Sequence, residues 1–431
     1  MIWIHSLLKR CGLGLLLTAV ALGLLIAATQ SAQAQTETVL YSFGSQSGDG
    51  LLPQASLIMD KKGNLYGTTY GGGTGSSPAC DLPYTAGCGT AFKLVPPGKK
   101  RSAWTETVLY SFGSQYEYDV YPVAGLIMDA EGNLYGTTTG GAGADGAQGT
   151  VFELTPTGTE TVLHAFIGEP DDGSGPMAQL IMDAEGNLYG TTSGGGRGER
   201  GTVFKLTPNG IETLLYSFGS QSGDGCGPYA GVIRDKKGNL YGTTAACGAY
   251  GYGTVFKLTP TGTETVLYSF NPGNGADGSG PYGGVVMDKK GNLYGTNSGG
   301  GAHNSGTVFK LTPGKKGGAW TETVLYSFGS QYPSEDGYVP LAGLILDKEN
   351  NLYGTTAYGG AYPQGNGGGG TVFKLTPAGT ETILHSFCAQ PRCADGSNPW
   401  ASLIMDKKGN LYGTTFWGGA NGYGTVFKIA P

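Results

Sequence analysis

The residues best suited to chemistry recur along this chain instead of clustering. Asp49, Asp172, Asp224, Asp277, Asp336 and Asp395 each stand four residues before a proline, in a DGxxP pattern, and Asp119 stands three before Pro122. Seven carboxylates gathered into one ring could coordinate calcium, which takes oxygen ligands. Asp before Gly is equally an ordinary turn former that accepts local backbone N–H bonds, and that structural role is the preferred reading. A second series, Asp60, Asp129, Asp183, Asp235, Asp288, Asp347 and Asp406, comes just before a tight turn and reads as a set of Asx-type caps.

Acid–base candidates are few. Beyond residue 34 the histidines are His164, His303 and His385. His164 and His385 replace the Tyr of a recurring VLYSF segment, so they read as packed strand residues. His303 lies in a variable loop, and Arg197, Glu199 and Arg200 in another loop are its only candidate partners. No nucleophile motif, zinc-ligand cluster or P-loop is present, since the GGG runs lack a following GK[ST] or helix. No catalytic residue is assigned, and no cofactor is expected apart from the calcium alternative.

The residue after each motif proline varies while its neighbours do not: Gln54, Val123, Met177, Tyr229, Tyr282, Leu341 and Trp400. Variation inside a constant frame marks these positions as candidates for a ligand-facing funnel, with packing between repeats as the alternative. Tyr70, Tyr358, Tyr362, Phe416 and Trp417 fall on the same side of the repeat. Aromatic platforms with polar neighbours suit carbohydrate faces. Tyr70, Tyr358 and Trp417 therefore join the candidate binding residues.

These positions are held by a repeat. The segment GNLYGTT occurs with its Asn at Asn64, Asn133, Asn187, Asn239, Asn292, Asn351 and Asn410, with small departures such as Asn297 for the last Thr and Asn350 for the first Gly. The mean spacing of about 58 residues is too long for most helical solenoids and suits a propeller blade with generous loops. Each unit holds four alternating β-branched and aromatic segments: 124–129, 133–138, 150–154 and 160–166 in the second unit. The expected fold is all-β, a seven-bladed β-propeller with four antiparallel strands per blade. A β-solenoid would need capping units, and the terminal copies are as regular as the rest. The chain opens on the fourth segment type and ends on the third. Residues 37–43 are therefore expected to complete the last blade and close the ring, removing an exposed sheet edge.

Lys9 and Arg10, an apolar run from Gly12 to Ala28, and Ala32-Gln33-Ala34 read as a signal peptide over residues 1–34, cleaved before Gln35. An uncleaved anchor is the alternative, and residues 35–431 form a single propeller domain in this reading. Loss of the two cations lowers the formal charge of −6 further, which disfavours nucleic acid as a partner. An oxidising compartment favours cysteine pairing. Proximity favours Cys80 with Cys88, Cys226 with Cys247 and Cys388 with Cys393 among the fifteen possible sets.

GNLYGTT, the GG-containing loop, GTVFKLTP and TETVLYSF together resemble the GloVer tandem repeat, a family of secreted bacterial repeat proteins, over nearly all of residues 36–431. The resemblance implies a propeller-like extracellular protein and no particular activity. The function expected is that of a secreted, non-enzymatic, monomeric protein that binds a glycan or protein through its long-loop face. The alternatives are a polysaccharide-directed hydrolase or lyase at the central funnel, which needs paired acids or an acid with a His, and a purely structural surface protein.

Overall fold

The computed structural model describes residues 35–77, 80, 86–99, 102–115, 119–140, 148–330, 334–362 and 368–431. The expected signal peptide lies outside the described residues, and none of the described helices is long and apolar enough to cross a membrane.

Period-two alternation builds every blade in the same way. In the first, Ile58–Met59, Leu65–Thr69, Thr90–Val95 and Thr105–Ser111 pair antiparallel in that order. Seven such four-stranded sheets form the ring. The last is made of Ile404–Met405, Leu411–Thr415 and Thr425–Ala430, with Thr36–Ser42 from the other end of the chain as its outer strand. The Phe43 amide continues the seam by donating to the Gly424 carbonyl at 3.0 Å. The seven-bladed propeller and its closure by the N-terminal strand are therefore both found.

The innermost strand is shorter than its alternation suggests. Only Ile58–Met59 pairs within its sheet, although residues 53–57 continue the same path. Their backbone is served partly by the neighbouring blade. The first Thr of each GTT donates its hydroxyl to a carbonyl on the next blade's inner segment: Thr68 to Ala124 at 3.0 Å, Thr243 to Gly283 at 3.0 Å, Thr296 to Ala342 at 2.8 Å. The second Thr works within its own blade, as in the 2.8 Å hydroxyl pair Thr69–Thr90. Asn297 takes over that task in blade five, donating from Nδ2 to Thr307 at 3.0 Å.

The core is a chain of interblade clefts. Each holds an edge-to-face phenylalanine pair, such as Phe112–Phe152 at 5.0 Å and Phe270–Phe309 at 5.0 Å. Full burial of such a side chain contributes on the order of 2 kcal/mol. The Gly of LYGTT is dictated by this ring: a Cβ on Gly67 would stand 2.8 Å from Phe92 Cζ. A bulge at Leu109 lets Val108 face Phe92 and Tyr110 face Ala91. It turns Tyr110 into the cleft shared with the next blade, and the bulge recurs in the other complete outer pairings.

The residue before each motif proline has a left-handed backbone, including Leu52, Tyr121, Val339 and Asn398 at φ 60, 61, 57 and 57°. This turn feeds the chain from the blade's outer edge into the ring centre. Such a conformation is uncommon for non-glycine residues and costly for a β-branched one.

Candidate functional site

Where the inner segments converge they enclose a central cavity of about 730 Å³. Period two sends the first, third and fifth residues after each proline toward the axis, which creates three tiers. The outer tier is Gln54, Val123, Met177, Tyr229, Tyr282, Leu341 and Trp400, all seven of which line the cavity. The second tier is small or polar: Ser56, Gly125, Gln179, Gly231, Gly284, Gly343 and Ser402. The third is β-branched, with Ile58, Ile127, Ile181, Ile233, Val286, Ile345 and Ile404; the cavity lining includes six of these, all but Ile127.

The small second tier has a steric cause. A Cβ on Gly231 would stand 2.4 Å from the Gln179 carbonyl oxygen, and one on Gly125 3.0 Å from the Ser56 carbonyl oxygen. Adjacent inner segments approach too closely for larger side chains unless, as with Gln179, the side chain turns along the wall. Its Nε2 donates to the Leu126 carbonyl at 2.7 Å.

The electrostatics of the cavity are simple. Among the described residues its lining contains no Asp, Glu, His, Lys, Arg or Cys. Among the described lining residues there is thus no carboxylate pair and no acid–histidine pair. The polar groups are neutral. Gln54, Ser56, Ser402 and the Tyr229 and Tyr282 hydroxyls make no side-chain hydrogen bond within the described residues.

The aromatic candidates divide into two sets. Tyr229 and Tyr282 stand side by side at the cavity mouth, with centroids 5.2 Å apart and rings tilted by 35°. They are 38% and 42% exposed. Trp400 stacks on Phe416 at 4.3 Å, which fixes the plane of its indole. Tyr70, Tyr358 and Trp417 do not line the cavity. Tyr70 stacks on Tyr121 at 4.7 Å, Tyr358 on Tyr338 at 5.5 Å, and Trp417 meets Phe416 edge-on at 5.0 Å. The first two pairs lie in connections outside the four-stranded sheets, and Phe416 contacts both Trp400 and Trp417. Tyr70 also joins Trp400 around buried Leu51, Leu52 and Phe416, across the ring closure.

The DGxxP carboxylates do not converge on the axis. Each caps its own blade's outer turn: Asp49 accepts from the Tyr41 hydroxyl at 2.9 Å and the Ser45 amide at 2.8 Å. Asp224 accepts from the Tyr216 hydroxyl at 2.9 Å and the Gly219 amide at 2.8 Å. Among the described residues no three His, Cys, Asp or Glu side chains form a metal-holding group. Asp119, the copy with altered spacing, is fully buried and accepts from Thr150 at 2.8 Å, and burial pushes its carboxyl up to about 6. The hairpin Asp series consists of turn caps. Burial opposes ionisation of Asp60, but bonds from Asn64, Lys62 and Tyr66 outweigh it and hold the carboxyl below its ordinary value.

His164 and His385 do meet acids. Their Nε2 atoms lie 3.2 Å from Asp172 and 3.3 Å from Asp395. Both pairs sit between outer strands, in the places where Tyr meets Asp in other blades, and neither lines the central cavity. The site imagined around His303 is not assembled: Arg197 pairs with Asp171 at 2.9 Å, and Arg200 points to Cys247.

Sequence reading missed the partner of these pairs. The Glu of each TETVLYSF segment faces the preceding blade's Tyr–Asp or His–Asp pair, with one carboxyl oxygen lacking a hydrogen bond in all seven copies. Burial, then the neighbouring Asp49, pushes Glu106 up to about 7; burial and then Asp119 push Glu160 to about 8. The Glu recurs at one phase of strand alternation, which was the available signal.

All three expected disulfides form, Cys80–Cys88, Cys226–Cys247 and Cys388–Cys393, with Cα separations of 5.0, 5.4 and 3.9 Å.

The extracellular domain of a hybrid two-component system from B. thetaiotaomicron is similar in structure, with a TM-score of 0.50 at 15% identity, over 92% of this chain and 42% of that one. This likeness concerns the fold alone. A candidate 6-phosphogluconolactonase from Bacteroides uniformis gives 0.49 at 15% identity over 82% and 96% of the two chains. A candidate gluconolactonase gives 0.39 at 14% over 65% and 80%. No curated protein sequence matches the chain. The family described as the Gloeobacter/Verrucomicrobia repeat matches residues 21–182 and 142–367, and with its seven GNLYGTT blades this chain belongs to that family.

Proposed function

We propose that this is a secreted propeller that binds an extracellular ligand, glycan or protein, at its long-loop face, with the central cavity as the seat of binding. One observation carries the reading. Seven side chains of six residue types crown a cavity whose frame is otherwise repeated nearly unchanged. Packing alone would favour the same residue in each blade, as it does for the core phenylalanines. The cavity volume also falls within the range of small-molecule sites, about 300–1,000 Å³. Secretion is supported by the three disulfides, which persist in oxidising compartments, and by the signal-like residues 1–34. The binding reading is preferred to the hydrolase reading, because the described residues of the funnel lining include no carboxylate or histidine.

The test is a plug. Met177, 38% exposed at the mouth, is replaced in Met177→Cys and alkylated with a bulky maleimide, with Ala378→Cys on the opposite face labelled in parallel. Glycan and protein-ectodomain arrays are then read with both. Signals lost only with the Met177→Cys label support the cavity as the binding seat. Signals equal for both labels, or silent arrays for the unlabelled protein, overturn it.

A further inference from the structure

We infer that the cavity receives the uncharged end of a neutral saccharide, its ring face against the Tyr229–Tyr282 wall and its hydroxyls toward the polar wall opposite. The inference rests on the central cavity being the binding seat and names its ligand class.

The first argument is charge. An ionised group entering this cavity would leave water without meeting a counter-ion, because no charged side chain lines it among the described residues. Burying an unpaired charge is strongly unfavourable, so uronate, sulfated or amino sugars are disfavoured against neutral ones. A purely apolar ligand is disfavoured for the converse reason, since it would cover hydroxyls and an amide without replacing their water. A sugar ring meets both demands, with one apolar face and a rim of hydroxyls.

The second argument is the placement of the walls. In a ring of seven, the element opposite blade one is the boundary between blades four and five. Tyr229 and Tyr282 come from blades four and five, and their rings are adjacent and open to solvent. Gln54 and Ser56 come from blade one, with Ser402 next to them on blade seven. The cavity therefore carries its paired tyrosine wall at blades four and five and neutral polar groups opposite it, with the Trp400 indole beside them on blade seven. Glycines in the second tier leave backbone close to any ligand passing the mouth.

The experiment is isothermal titration calorimetry on the disulfide-intact full chain. The neutral probes are cellobiose, maltose, xylobiose and diacetylchitobiose; the charged probes are digalacturonate and the glucosamine dimer. At least one neutral disaccharide is expected to bind below about 10 mM, with a Kd that changes less than about twofold from low to high salt, as an uncharged pair requires. Tyr229→Ala and Tyr282→Ala should each weaken it about tenfold or more, Tyr229→Phe should retain most of the affinity, and Trp417→Ala should leave it unchanged. Unfolding midpoints confirm that the variants fold. Three results overturn the inference: no neutral disaccharide binds, a charged one binds as tightly as its neutral counterpart, or the Tyr→Ala variants bind like the parent. If a charged sugar or protein binds and the Met177→Cys plug blocks it, the saccharide inference falls while cavity binding stands. Binding that ignores the plug overturns both.

Discussion

Thr414 donates its hydroxyl hydrogen bond to the carbonyl of Ala55 at 3.1 Å across 359 residues of sequence. The same contact repeats around the ring, so the seam between first and last blades is built like every other interface. Thr414→Val keeps the shape and removes the donor from a buried site. The expected loss is about 1–3 kcal/mol, read as a lowered urea midpoint. Thr137→Val is the control, because its bond to Ala178 is longer at 3.5 Å. It should cost less, and an equal or larger cost would show that the hydroxyl bonds do not govern the interfaces.

The interblade glutamates make stability fall as pH rises. Glu106, Glu264, Glu322 and Glu381 are pushed from 4.5 to about 7, by burial first and then by a facing Asp. Between those values the native state holds more protons than the unfolded chain. Their contribution is fully present below pH 4.5 and lost as pH rises through about 7. Glu37 and Glu212 follow the same direction, with His385 and His164 opposing the shift. Urea midpoints should therefore be higher at pH 5 than at pH 8. Glu106→Gln should raise the midpoint at pH 8 and change it little at pH 5, and an unchanged pH profile in that variant would exclude this cause.

Acid sets the opposite limit. The hairpin carboxyls of Asp60, Asp235, Asp288 and Asp406 lie below 3.8, because hydrogen bonds from Asn, Lys and Tyr groups outweigh burial. Their stabilisation is present above the unfolded value and is lost as pH falls through the lowered one. Asp60→Asn should move the acid-unfolding midpoint of the full chain only slightly. Six or more such substitutions together should move it clearly toward higher pH, because the neutral amide lacks the carboxylate's stabilisation at every pH.

The disulfides should rank by loop length. Cys226–Cys247 encloses 21 residues of separation and Cys388–Cys393 only 5. Replacing both cysteines of the first pair by Ser should cost about 3 kcal/mol and of the second about 2 kcal/mol on the chain-entropy account. Unfolding in denaturant, with the other two bridges intact, measures the order.

Gly231→Ala should destabilise more than Gly125→Ala. The new methyl would press on a backbone oxygen of the adjacent blade at 2.4 Å against 3.0 Å. Overpacking of this kind costs about 1–3 kcal/mol. Thermal unfolding of the two variants compares them directly.

Blade number, strand order and ring closure were legible in the chain because they depend on local alternation and on a count of copies, and both are properties of the sequence. The disulfide pairing was legible for a similar reason, since proximity along the chain carried it. So was the crown of Gln54, Val123, Met177, Tyr229, Tyr282, Leu341 and Trp400, which stands at one fixed step from a proline. Other features depended on how blades meet. The bulge at Leu109 breaks the period-two rule, so no count along the strand places Tyr110 in the cleft beside Glu160. The DGxxP carboxylates have the spacing of a ring of ligands, but a left-handed residue before each proline separates them from the axis and leaves them at the outer turns. Tyr70 and Trp417 share a face with Trp400 in sequence, and stacking on Tyr121 and packing against Phe416 keep them out of the cavity. The absence of charge among the described lining residues was likewise invisible in a chain that carries 32 acidic and 26 basic residues, because only the convergence of seven inner segments decides which side chains share one space.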